Sequence, residues 1–126
     1  MSFDWPEYLY LAQELTGPSA RSSTQEAKSR SAASRAYYAA FGKARNFLRA
    51  QKNVPIPNTG RAHRLVWQWF EGNSSDEAKQ IGVEGNRLKE DRRKTDYDDA
   101  IPNLSSLATE ALELSARILD RLGRLR

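Results

Sequence analysis

The sequence predicts an all-α protein built as an up-and-down bundle of four to five helices. Apolar residues recur every three or four positions along most of the chain, as on one face of a helix. No segment alternates apolar and polar residues as a half-buried strand would. With 126 residues, 39% of them hydrophobic, the chain has the size and composition of one compact core. We therefore expect residues 1–126 to form one helical domain.

Two helices are predicted in the first half of the chain. The first covers about residues 5–15, with Asp4 as its N-cap. The second is long, about residues 23–51, and small residues on its inner face allow neighbouring helices to approach closely. Aromatic side chains on the same face supply buried area, and the whole face consists of Ala27, Ser31, Ser34, Tyr37, Tyr38, Phe41, Ala44 and Leu48.

Three further helices are predicted after the proline-containing segment 53–58. A short one covers about residues 60–70, and a solvent-facing Trp67 there would be a candidate interface anchor. The next begins after Ser74, which has capping-box spacing to Glu77, and extends to about residue 97. Glycines in its middle, Gly82 and Gly85, weaken this helix, which leaves open either a break there or a continuous helix. The last starts near Pro102 and carries the clearest amphipathic stripe.

Composition excludes several classes of site. The chain has no cysteine, which rules out disulfides, zinc–thiolate sites and thiol nucleophiles. Its single histidine, His63, rules out a multi-histidine metal centre. No apolar run approaches the roughly 20 residues of a membrane span, and three acids among the first 15 residues argue against a signal peptide. We expect a soluble, cytoplasmic protein without a metal or cofactor.

Positive charge is concentrated in the second predicted helix. The net charge of the chain is +4, but residues 21–52 hold eight basic residues and one acid, or +7, which leaves −3 for the rest. Such a segment favours nonspecific attraction to a nucleic-acid backbone. The basic side chains expected to form this stripe are Arg30, Arg45, Arg49 and Lys52.

Two polar clusters are candidates for chemistry. In segment 34–41, Arg35 and Tyr38 either belong to a packed core helix with a solvated arginine or donate hydrogen bonds to an anion in a cleft. In segment 92–99, three cations precede three carboxylates. This second cluster is either a solvated helix end or a phosphate-binding arginine beside its orienting carboxylate. Its clustered acids are more typical of a cap or ion pair than of a magnesium site.

The order and spacing of four motifs resemble the prokaryotic HEPN-domain family. The match covers nearly the whole chain, including the opening segment 3–15 and the histidine-led segment 63–70. The remaining two motifs are Ser34-Arg35-Ala36-Tyr37-Tyr38-Ala39-Ala40-Phe41 and Arg92-x-x-Thr95-Asp96-Tyr97-Asp98.

The resemblance implies a helical bundle that usually forms a homodimer. It also implies a gene neighbourhood with a minimal nucleotidyltransferase, in a toxin–antitoxin or defence module. Many HEPN proteins are metal-independent endoribonucleases whose motif pairs an arginine with a histidine a few residues later. In this chain Arg92 matches the arginine, but Tyr97 stands where that histidine is expected. A phenol is a poor base at neutral pH, so the usual catalytic pair is incomplete.

Three hypotheses follow from the residues and the resemblance. The first is an RNA- or partner-binding HEPN module whose polar cleft holds Tyr38 and Tyr97 and whose phosphate contacts include Arg35, Arg92 and Arg93. The second is a metal-independent endoribonuclease that uses Arg92 with Asp96, Tyr97 or His63 as the base. The third is a purely structural dimer that binds a nucleotidyltransferase partner.

Overall fold

The computed structural model describes residues 3–16 and 22–125, with side chains of the second range from residue 25 onward. Five α-helices are present in these ranges, and no strand is. The predicted all-α bundle is therefore confirmed. In chain order the helices are α1 (Glu7–Leu15), α2 (Ser22–Gln51), α3 (Arg61–Glu71), α4 (Asp76–Tyr97) and α5 (Leu104–Arg124).

Helix α2 is the axis of the bundle, because α1, α4 and α5 all pack along it. A row of alanines makes this possible, since their small side chains let three helices pack closely against α2. These alanines are completely buried, and the apolar face of α5 also packs into the core. The fully buried alanines of α2 are Ala32, Ala33, Ala36, Ala39, Ala40 and Ala44.

Close packing of α3 on α4 depends on glycine. A Cβ atom on Gly85 would lie 2.2 Å from the Trp67 ring, and one on Gly82 would lie 2.5 Å from the backbone nitrogen of Glu71. Helix α4 runs unbroken through both glycines, so of the two possibilities the continuous helix is the observed one. Trp67 does not face solvent and is therefore not the interface anchor considered above, because its indole is fully buried against α4, while Trp69 is partly exposed.

Three helix ends differ from the predicted ones. Helix α1 begins at Glu7 after Pro6, so Asp4 is not its N-cap, although the Asp4 carbonyl accepts a hydrogen bond of 2.9 Å from the Glu7 N–H. Ser75, one residue later than predicted, caps α4. Asn103 takes a left-handed conformation (φ 56°) and delays the start of α5 to Leu104, beyond the predicted Pro102. In the described ranges, no helix combines the length and the low polarity that a bilayer crossing requires.

Replacing Gly85 with alanine is expected to destabilise the protein. Alanine favours a helix interior by roughly 1 kcal/mol over glycine, but here the new methyl group would overlap the buried Trp67 ring. Overpacking of this kind costs about 1–3 kcal/mol, so the melting temperature of Gly85→Ala should fall.

The matched control is Gly123→Ala in α5, where an added Cβ meets no atom within 4 Å. Its melting temperature should stay level or rise slightly. Equal or greater stability of Gly85→Ala compared with the unsubstituted chain would contradict the close α3–α4 packing.

Candidate functional site

The side chains of Tyr38 and Arg92 join α2 to α4. Arg92 Nη2 donates a hydrogen bond of 2.8 Å to the Tyr38 hydroxyl oxygen, and Arg92 Nε lies 2.8 Å from Asp96 Oδ2 in an ion pair. The Arg92 guanidinium carbon is 5.2 Å from the Tyr38 ring centroid and 5.8 Å from that of Tyr37. About a fifth of the Arg92 side chain (21%) remains exposed. The arginine is thus held in a fixed orientation while part of it faces solvent.

The Tyr37 phenol, fully buried, ties α2 to α3. Trp67 Nε1 donates a hydrogen bond of 3.1 Å to the Tyr37 hydroxyl oxygen, and the same hydroxyl lies 2.7 Å from His63 Nδ1. Burial raises the pKa of Tyr37 well above its usual value. The phenol therefore stays neutral and acts as a hydrogen-bonding hub rather than a proton acceptor.

His63 lies beside this hub with its ring stacked on Phe41, at a centroid distance of 4.2 Å. Partial burial lowers the pKa of His63, and the positive charges of Arg92, Lys89 and Arg45 lower it further. The imidazole is therefore neutral at neutral pH.

The tautomer of His63 determines whether its Nε2 can accept or donate a hydrogen bond. With the proton on Nδ1, this nitrogen donates to the Tyr37 oxygen and Nε2 is left as an acceptor. With the proton on Nε2, the Tyr37 hydroxyl donates to Nδ1 and Nε2 becomes a donor. In the described part of the chain, no protein group forms a hydrogen bond with Nε2, so this nitrogen is available to a ligand.

Arg35 lies in a neighbouring cleft between α1 and α2. The cleft has a volume of about 350 Å³ and is lined by Trp5, Tyr8, Ser31, Ser34, Arg35 and Tyr38. The Arg35 guanidinium carbon is 5.5 Å from the Tyr8 ring centroid, and its buried Nε has no acceptor. No carboxylate in the described ranges pairs with this arginine. Tyr38 connects the two places, because it lines the cleft and also accepts the hydrogen bond from Arg92.

Other predicted site residues lie away from the Tyr38–Arg92 pair. Arg93 projects to the surface and is held by Glu90 through hydrogen bonds of 2.8–3.0 Å. The Tyr97 side chain is 70% exposed, so it does not close the cleft. Asp96 serves as the counter-ion of Arg92. The structure thus brings together Tyr38, Arg92 and Asp96, but not Tyr97 or Arg93.

The predicted basic stripe on α2 has structural partners. Arg30 donates to the carbonyl oxygens of Thr95, Asp98 and Asp99, at 3.1, 2.7 and 3.0 Å, and so fastens the C-terminal end of α4 to α2. Arg49 donates a hydrogen bond of 2.6 Å to the Ile56 carbonyl oxygen and holds the loop after α2. These two cations therefore stabilise the fold by binding backbone carbonyl groups.

Lys89 and Tyr37 were missed as members of the site. Lys89 precedes Arg92 by three residues on α4, the spacing that places two side chains on one helix face. That spacing is the sequence feature from which Lys89 could have been predicted. Nothing local in the sequence distinguishes the buried Tyr37 from the cleft-lining Tyr38. In residues 3–16 and 22–125, no group of three or more histidine or acidic side chains is arranged to hold a metal ion.

Comparison with known proteins identifies the family. The model of the HEPN domain matches residues 16–125, which is most of the chain. The protein therefore belongs to the HEPN domain family, as the motifs predicted. No curated protein and no solved structure matches the chain.

The titration of His63 tests the electrostatics of the site. We expect a midpoint below the usual 6.5 in an NMR titration of the imidazole protons. Arg92→Gln should raise this midpoint, because it removes one of the positive charges that disfavour the imidazolium.

Arg93→Gln is the matched control, since Arg93 has the same charge but points to the surface beside Glu90. It should leave the midpoint unchanged. A midpoint at or above 6.5 in the unsubstituted chain, or equal shifts in both variants, would contradict the described surroundings of His63.

Proposed function

We propose that this HEPN domain binds RNA through the backbone phosphates, with the Tyr38–Arg92 pair as the principal contact. The observation that carries the proposal is the fixed guanidinium of Arg92. Its Nη2 donates a hydrogen bond to Tyr38, and its Nε lies in ion-pair contact with Asp96 at 2.8 Å without a hydrogen bond. Its Nη1 has no protein acceptor among the described residues. A planar guanidinium presents its donors in a rigid fork that matches phosphate, so one held in place binds at little entropic cost.

Surrounding charge supports the same function. Lys89 and Arg45 lie near enough to His63 to lower its pKa, together with Arg92. Arg35 adds a guanidinium without a carboxylate partner in the adjoining cleft. Since Asp96 is the only carboxylate paired with Arg92 in the described ranges, the region keeps an excess of positive charge. Such an excess attracts a polyanion and weakens with salt.

The test is RNA binding by fluorescence anisotropy over a range of salt concentrations. Affinity should fall steeply as salt rises, and Arg92→Gln should weaken binding about tenfold and reduce the salt slope by about 1. The matched control is Arg124→Gln, which removes the same charge at the end of α5 beside Glu77 and Asp120. Salt-independent affinity, or equal losses in the two variants, would count against phosphate binding at Arg92.

A second candidate function is metal-independent RNA cleavage with His63 as the base. The observation in its favour is the neutral imidazole near Arg92, with Nε2 unoccupied by protein. In the Nδ1–H tautomer, Nε2 takes the proton of a ribose 2′-hydroxyl, and the 2′ oxygen forms a bond to the adjacent phosphorus. The bond from phosphorus to the 5′ oxygen breaks, and that oxygen takes a proton from water. Arg92 stabilises the charge that develops on the phosphate oxygens.

Cleavage should leave a 2′,3′-cyclic phosphate and a 5′-hydroxyl, and EDTA should not affect it. His63→Gln and Arg92→Gln are each expected to reduce the rate at least about 100-fold. Tyr97→Phe and Asp96→Asn test the two other predicted bases, and Tyr97→Phe should retain full activity because that phenol is exposed. Intact RNA at high enzyme excess, or a loss confined to Tyr97→Phe, would overturn His63 as the base.

The toxin–antitoxin or defence context, the homodimer and the nucleotidyltransferase partner remain part of the proposal. Membership of the HEPN family supports this context. A partner would find apolar surface on α1, where Tyr10 is 54% and Leu11 36% exposed. A purely structural role for the chain would not explain the excess of positive charge near Arg92.

A further inference from the structure

We infer that the cleft between α1 and α2 is a nucleobase pocket that favours guanine. This inference deepens the proposed RNA binding and rests on it. In this inference Arg35 forms hydrogen bonds with the edge of a base, whereas Arg92 binds the backbone phosphate. The cleft volume of about 350 Å³ lies at the small end of the range for ligand pockets, which suits one base.

The walls of the cleft are largely aromatic. Trp5, Tyr8 and Tyr38 supply three aromatic rings, and all three are partly exposed. The Trp5 and Tyr8 rings meet edge to face at a centroid distance of 5.6 Å, which fixes the orientation of both. Unpaired bases are commonly bound by stacking on aromatic rings and on arginine guanidinium planes.

The polar groups of the cleft select for acceptors. Arg35 can only donate hydrogen bonds, and the described ranges provide it with no carboxylate and no acceptor for its buried Nε. Its Cζ lies 5.5 Å from the Tyr8 ring centroid, where the ring partly stabilises the cation without satisfying its N–H groups. Guanine offers O6 and N7 as adjacent acceptors to the fork of an arginine, whereas the corresponding edge of adenine combines one acceptor with a donor.

The position of the cleft couples a base to a phosphate. Tyr38 lines the cleft and accepts the hydrogen bond from Arg92 Nη2, so the two places share one side chain. Ser31 and Ser34 add hydroxyl groups that donate or accept, and neither carries charge. Three rings, two hydroxyls and one cation suit an uncharged, acceptor-rich aromatic ligand better than a second phosphate.

The test compares short RNAs that differ by a single base. Isothermal titration of the full chain with uridine hexanucleotides carrying one central G, A or C should give about tenfold tighter binding for G. Arg35→Gln should remove this preference and bring the three affinities together. Arg35→Lys should also lose most of it, because an ammonium lacks the planar fork.

The matched control is Arg92→Gln, which should weaken all hexanucleotides equally and leave the preference for G intact. Tyr8→Ala should weaken binding of the G hexanucleotide about tenfold, and Tyr8→Leu, which keeps an apolar side chain but no aromatic ring, should weaken it as well. Circular dichroism checks that each variant remains helical, and Tyr8→Leu keeps the test valid if Tyr8→Ala unfolds.

Separate outcomes decide the two proposals. RNA binding with equal affinity for G, A and C would overturn the nucleobase pocket and leave phosphate binding in place. A preference for G that survives in Arg35→Gln would overturn the role of Arg35. Displacement of guanosine, which carries no phosphate, by an equal concentration of inorganic phosphate would make the cleft a phosphate site and overturn the inference. Absence of any RNA binding would overturn both proposals.

Discussion

The burial of one phenol, the Tyr37 side chain, constrains the rest of the site. A buried hydroxyl without partners costs about 1–3 kcal/mol, so α3 has to place polar atoms beside it. Trp67 and His63 supply them, at 3.1 and 2.7 Å. The Trp67 indole fits only because Gly85 has no side chain. The position of His63 is therefore a consequence of how α3 is packed against α2 and α4.

This packing creates an electrostatic imbalance. Burial lowers the pKa of His63, and the charges of Arg92 and Lys89 from α4 and Arg45 from α2 lower it further, so the imidazole stays neutral. Asp96 compensates for one of these charges. Partial burial strengthens the remaining repulsion, since protein replaces water around the charges. An anion in this region would relieve it, which is the physical basis for phosphate binding.

Much of this arrangement could be predicted from the sequence. Amphipathic spacing predicts five helices close to their observed bounds. Of the residues expected at one polar cleft, Tyr38 and Arg92 are joined by a 2.8 Å hydrogen bond, whereas Tyr97 is exposed. Prediction was less successful where a residue has two physical roles. Gly85 is a poor helix former in isolation, yet it serves close packing in the bundle. Arg30 looks like a surface cation in sequence, yet it binds three backbone carbonyls.

The helical class and the residues that carry charge and aromatic rings can be predicted from the amino-acid sequence alone, because periodicity and composition are local properties. Which of two neighbouring residues is buried and which is accessible depends on tertiary packing. Tyr37 and Tyr38 are adjacent, but the first is enclosed by α3 while the second lines a cleft. Tyr97, one residue after the counter-ion of Arg92, points to solvent because α4 ends there. Rotation about a helix axis sets these differences, and contacts between distant segments fix that rotation.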